Sequence, residues 1–484
     1  MAQTALPAAN NAIRRRTFFG LFDADGWTWA GVKAVFWFVV IITMLGYIPD
    51  RAYYFTVGKT VDIWPLAPFL QWAPVNLCPP ENETLPCPAP AGASLPWHQA
   101  PAELQLPAAR AHGAGAVIGS TYIYAGGSDG SAAQATTFIS HAVALGNLDK
   151  WSQGPVLPEA RTEAASVVLG NTLYLIGGKG PDGKPTSTTY SLTVNNDGTL
   201  GQWTVEDKLA LPAPRSGAAA VAVSDGLVVI GGSDGTAATT SVWKAQQSGT
   251  PAKLGAWVAQ PATLVEPSAG GYAAHVGDVI YLIGGVNDKG ETVATVQFGL
   301  VGTSLTPGVT AKDPNIIASW KSSPQTNLPG PRSHLAGFTS NGAIYVTGGT
   351  DGVNPRTETL WATPDASGSI TVWNHLPQTD LGQGIQGSAG LSAGAYAFIL
   401  GGQTAQGVTA DSARAYLAPQ LPFFQLGVLG ATIPALKLDG EIGQQIGYLN
   451  AATVGAVNFI VLIAVGWAFN HKPKIQAFIA KRRK

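Results

Sequence analysis

Six of this chain's Gly-Gly pairs recur at a near-regular period, beginning at Gly126, Gly177, Gly231, Gly284, Gly348 and Gly401, at intervals of 51, 54, 53, 64 and 53 residues. A tryptophan stands before each pair. Trp97, Trp151, Trp203, Trp257, Trp320 and Trp373 precede their glycines by 29, 26, 28, 27, 28 and 28 residues, so two unrelated residue types count the same six units. Periods near 50 mark the blades of a propeller. The 484 residues would by length alone suggest two or three domains, yet the repeat absorbs residues 96–417 into one ring.

Each unit has the same internal order: a Trp segment, a Leu-Pro-x-x-Arg turn, an apolar strand, a second strand ending in Gly-Gly, an Asp-Gly turn and a third strand. The second unit shows it plainly, with Trp151, LPEAR at 157–161, ASVVLGN, TLYLIGG at 172–178, PDG at 181–183 and TSTTYSLTV. Ser-Asp-Gly at 128–130 and 233–235 and Thr-Asp-Gly at 350–352 supply the positive φ that tight hairpins need. The sixth unit has no tryptophan after it, while Trp97 has no unit before it. The Trp97 strand is therefore expected to complete the last blade, which closes the ring and removes exposed sheet edges.

These residues resemble the kelch repeat family over residues 96–417, and the elements Leu254-Gly255-Ala256-Trp257 and Leu200-Gly201-Gln202-Trp203 are similar to its bacterial, membrane-anchored members. The resemblance implies an all-β, six-bladed kelch propeller. It also implies that the glycine pairs end the second strand where packing is tight, while aromatic residues fill the space between blades. Tyr174, Tyr281, Tyr345 and Phe398 lie three residues before their Gly-Gly, with Ile123 and Val228 at that place in the other two units. Glycine suits a site where a neighbouring backbone or ring comes close.

Two α-helical membrane spans flank the ring. Residues 26–48, GWTWAGVKAVFWFVVIITMLGYI, carry Lys33 as their one charge, placed where its ammonium reaches the headgroups, and residues 450–469 carry none. Arg14, Arg15 and Arg16 precede the first span and Lys472, Lys474, Lys481, Arg482, Arg483 and Lys484 follow the second, so tails 1–25 and 470–484 are assigned to the cytoplasm. The propeller is then extracytoplasmic, held by a retained anchor, since no small-x-small cleavage site follows Gly46. Gly447, Ala451, Gly455 and Asn458 form a small-residue stripe on the second helix, which fits either the first span or another membrane subunit.

Connectors 49–95 and 418–449 are apolar and broken by prolines, suiting the membrane surface or the underside of the propeller. Cys78 and Cys87 are close enough in NLCPPENETLPCPAP to close a small loop in an oxidising compartment. We read a disulfide over two unpaired thiols, and no third or fourth metal ligand lies nearby. Without residues 1–20 and 470–484 the chain holds 19 basic and 29 acidic residues, a balance that argues against nucleic acid as partner.

Arg110, Arg161, Arg215 and Arg332 recur in the turn before the first strand, with Ser268 and Gln383 near the equivalent places in units four and six. Arginines repeated around a ring can line a channel mouth and bind an acidic sugar or carboxylate through forked hydrogen bonds, or can pair with backbone carbonyls between blades. His112 and His334 each follow an arginine by two residues and read as isolated; His275 and His375 stand alone. No Ser-His-Asp order, Walker loop or HExxH motif occurs, and no metal or other cofactor is expected. Kelch-like copper radical oxidases need a ring cysteine, which is absent. Sialic-acid mutarotase-like kelch enzymes use arginines and carboxylates, which Arg161 and Glu163 imitate. The expected function is a non-catalytic binding or scaffold subunit of a larger membrane complex, in contact with lipid and with other membrane subunits; the alternative is an enzyme acting on an acidic sugar.

Overall fold

The computed structural model describes residues 92–417, apart from 95, 144–146, 196, 251, 302–316, 341, 366 and 394–395, together with 22–23, 26–27, 37, 423–426 and 431–434. Cys78, Cys87, Gly447, Ala451, Gly455 and Asn458 lie outside these residues, as does almost all of both expected membrane spans. Gly26–Trp27, placed by sequence at the head of the first span, instead pairs antiparallel with Phe22–Asp23. Phe423–Leu426 pairs with Ala431–Pro434 inside the second connector. No helix among the described residues is long and apolar enough to cross a membrane.

Residues 89–421 form a unit of their own, a six-bladed β-propeller. Blade 1 consists of Ala114–Ile118, Thr121–Ala125, Thr137–Val143 and Ser152–Gln153, all antiparallel. Blades 2 to 5 begin at Ala165–Leu169, Ala219–Val223, Tyr272–Val276 and Ala336–Ser340 and repeat the same order outward. The first strands of successive blades pack against one another around the axis, and that of blade 6, Ala389–Ala393, packs against that of blade 1.

Closure is the one the tryptophan count requires. In blade 6 the outermost strand is His98–Gln99, with Gln99 opposite Ala413 and His98 opposite Arg414, and a bridge between Ser94 and Leu417 extends the pairing. Trp97 Nε1 donates to Thr359 Oγ1 of blade 5 at 2.9 Å, while Trp203 Nε1 of blade 2 donates to Thr137 Oγ1 of blade 1 at 3.0 Å. Thr359 and Thr137 each lie 11 residues beyond the first glycine of their pair, so the N-terminal tryptophan serves the seam as Trp203 serves an ordinary blade junction. Trp151, Trp257 and Trp373 tie their blades backward in a related way, to the carbonyls of Leu104, Leu209 and Thr326, each at the end of a short 3-10 turn. An indole joins a large apolar surface to one donor, which suits a junction that buries both.

The glycine pairs are required by conformation and by space. Gly177 has φ +65° and Gly178 φ +87°, and a Cβ on Gly177 would lie 2.5 Å from the Arg215 carbonyl oxygen of the next blade. That approach allows Gly178 N–H to donate to Arg215 O at 2.7 Å. The other five junctions repeat the bond: Gly127 to Arg161, Gly232 to Ser268, Gly285 to Arg332, Gly349 to Ile385 and, across the seam, Gly402 to Arg110. The structure thereby corrects the register of unit six, where Ile385, not Gln383, occupies the arginine position.

Blade 6 departs from the others in its second and third strands, Tyr396–Thr404 and Gly407–Tyr416, which run on as one long hairpin with a bulge between Leu400 and Gly402.

Candidate functional site

Two residues beyond each arginine position the chain turns into the innermost strand, and all six residues there have left-handed backbone: His112, Glu163, Gly217, Gly270, His334 and Gly387, with φ of 56°, 54°, 58°, 69°, 50° and 63°. Their backbones form a closed cycle about the axis. Glu163 N–H donates to His112 O at 3.0 Å, Gly217 to Glu163 at 2.9 Å, and Gly270 to Gly217, His334 to Gly270, Gly387 to His334 and His112 to Gly387, each at 2.7 Å. Positive φ costs a non-glycine residue about 1 kcal/mol or more, so three such residues at one mouth mark a place where side chains are wanted.

The two histidines meet there. Their rings stand edge to face with centroids 5.0 Å apart. Glycine at the neighbouring positions makes room: a Cβ on Gly387 would fall 2.6 Å from the His112 ring, and one on Gly270 would fall 3.0 Å from the His334 ring. Glu163 accepts a 2.7 Å ion pair from Lys179 beside them. Burial, and then the neighbouring His334, pull the His112 imidazole down to about 4 against the opposing influence of Glu163. Burial also lowers His334, so both rings are neutral at pH 7. Two uncharged imidazoles beside a carboxylate–ammonium pair can accept and donate hydrogen bonds without presenting net charge. Among the described residues no group of three or more His, Cys, Asp or Glu side chains is arranged to hold a metal ion.

Sequence reasoning treated these histidines as isolated, because they lie in blades 1 and 5, separated in the chain by most of the ring. The signal that pairs them is their shared offset from the glycine pair, 14 residues in both units.

The four arginines face a different environment, inside the blades, where they are 6%, 1%, 7% and 4% exposed in chain order. Arg110 donates to Ala109 O at 2.7 Å and Thr136 Oγ1 at 3.0 Å, with its guanidinium 5.6 Å from the centre of the Phe138 ring. Arg161 donates to Thr186, Thr188, Glu159 and the Tyr190 hydroxyl, the last at 2.6 Å, and lies over the Tyr190 ring. Arg215 donates to Pro214 O and Ser241 Oγ and lies 4.6 Å over Trp243. Arg332 donates to Gly348 O and to both the carbonyl and the carboxylate of Glu358. In each case the backbone is bonded to the preceding blade and the side chain to its own, so the residue staples two blades. The Nε of all four lacks a hydrogen-bond partner, a repeated geometry that belongs to the blade rather than to one local site.

No protein-family model matches this chain, and no curated protein matches it either.

Proposed function

We propose that this chain is a non-catalytic, membrane-anchored propeller of the kelch type, acting outside the cytoplasm as a protein-binding or scaffold subunit of a larger membrane complex. The observation that carries this reading is the engagement of all four repeated arginines inside the blades. An enzyme acting on an acidic sugar would need those forks free to meet a carboxylate, and a fork bonded within its own blade is not free. The apolar spans at 26–48 and 450–469 and the basic tails support the anchor and its orientation. Fold by itself does not choose between binding and catalysis, so the site has to do so.

Gentle detergent extraction of native membranes, followed by several chromatographic steps, is expected to yield the chain with a stoichiometric membrane partner. A chain that emerges alone, or one protected against heat by N-acetylneuraminic acid, would overturn the proposal, and the second result would favour sugar chemistry.

A further inference from the structure

The arginine position, 16 residues before each first glycine, faces two third-strand positions of its own blade: one 10 or 11 residues after that glycine, the other two residues further on. Blades 1, 2 and 3 fill the space between with a guanidinium lying over Phe138, Tyr190 or Trp243 and bonded to Thr136, Thr188 or Ser241. Blade 5 fills it with Arg332 bonded to Glu358. Blade 4, which has Ser268 there, uses Gln297 instead. That side chain is 2% exposed and its amide is bonded at both ends to the Glu266 backbone.

Blade 6 alone leaves the space open. Its equivalents are Ile385, Asp411 and Ala413, too small to meet, and a cavity of about 280 Å³ lies between them, walled also by Ile399 and by Trp97 of the closing strand. It opens to solvent beside Gly382 and Gln383, both exposed. Asp411 stands at the position of Glu358, the carboxylate that receives a guanidinium in blade 5. Gln383 Nε2 donates to its Oδ2 at 3.2 Å, and Oδ1 has no hydrogen-bond partner among the described residues; nor does any cation pair with this carboxylate.

We infer that this cavity is a receptor for an arginine side chain supplied by a partner protein, which would complete blade 6 from outside as its own arginine completes blade 5. In the filled blades a guanidinium is met by a ring (blades 1, 2 and 3) or by a carboxylate (blade 5). At the seam Ala413 stands in place of the ring, Trp97 of the closing strand supplies an aromatic wall instead, and Asp411 keeps the carboxylate, so shape, ring and charge together fit a guanidinium. The inference rests on the protein-binding reading and names the chemistry its partner presents.

The test is calorimetric titration of the full-length chain in mild detergent with N-acetyl-L-arginine amide, against the citrulline and lysine analogues. The arginine compound is expected to bind at one site, at least tenfold more tightly than uncharged citrulline and more tightly than lysine. Asp411→Asn is expected to weaken it about tenfold. Ile385→Arg, which supplies the missing fork in cis, is expected to abolish binding while the melting temperature holds or rises. Equal binding of citrulline, equal binding of lysine, no binding at all, or undiminished binding to Ile385→Arg would each overturn the inference. Because the probe needs no partner, a negative titration alongside a co-purifying subunit rejects this receptor alone, whereas a positive titration on a chain that purifies alone rejects the complex.

Discussion

Replacing Arg161 by methionine removes the fork while keeping most of the stem. The guanidinium is 1% exposed and its bonds divide unequally. Glu159 is 49% exposed and rehydrates on losing its partner, so that ion pair contributes little. Thr186 and Thr188 lie 3.1 Å apart and can bond to each other. The Tyr190 hydroxyl has no such recourse: it sits in a residue only 3% exposed and loses a charge-assisted bond of 2.6 Å. A stranded bond of this kind costs about 2–3 kcal/mol and the lost ring contact about 1 kcal/mol, offset in part because a buried cation no longer has to be desolvated. The net expectation is about 3 kcal/mol, or a melting temperature lower by about 4 °C in a domain of this size. Arg215, which makes two bonds and lies over Trp243, is expected to lose about half as much in Arg215→Met. Tryptophan-fluorescence melts of the full-length variants in detergent measure both. Equal shifts, or no shift for Arg161→Met, would refute the staple; loss of a partner at unchanged melting temperature would make the arginine a recognition residue.

Gly177→Ala forces a Cβ to 2.5 Å from Arg215 O at φ +65° and is expected to cost about 3 kcal/mol, whereas Gly183→Ala, at φ +74° with open space around it, should cost about 1 kcal/mol in the same melts. Trp97→Phe deletes the bond to Thr359 across the seam; a double-mutant cycle with Thr359→Val is expected to give a coupling near 1 kcal/mol, and a coupling of zero would mean that this bond does not hold the ring closed. His112 titrates near 4 when folded and near 6.5 when unfolded, so between these values the unfolded chain binds more protons. Stability is therefore expected to fall as pH drops through that window, by up to about 3 kcal/mol, and His112→Asn, which tolerates the left-handed backbone, should flatten the slope. An unchanged slope would locate the acid sensitivity elsewhere.

The six blades, their count and the seam at Trp97 were all legible in the sequence, because each rests on a residue whose need is local. Glycine is demanded wherever φ is positive and a carbonyl of the next blade approaches, and tryptophan where a junction buries apolar surface, five of the six indoles also finding an acceptor there and Trp320 none among the described residues. Such needs recur at every period, so counting finds them. The one slip in register, Gln383 for Ile385, came in unit six, where no arginine marks the position. The direction of the arginines was not legible, since a Leu-Pro-x-x-Arg turn reads the same whether its fork enters the blade or the channel.

What the chain determines by itself is thus the periodic backbone: how many blades, where each strand ends and which strand closes the circle. What the tertiary structure decides is the company each side chain keeps. His112 and His334 meet because blades 1 and 5 flank blade 6, where Gly387 leaves space for a ring. The cavity beside Asp411 exists because Ile385 and Ala413 are small together. Both depend on pairs of residues far apart in the chain, and a repeat pattern records positions one at a time, whereas packing is set by the volumes that share a space.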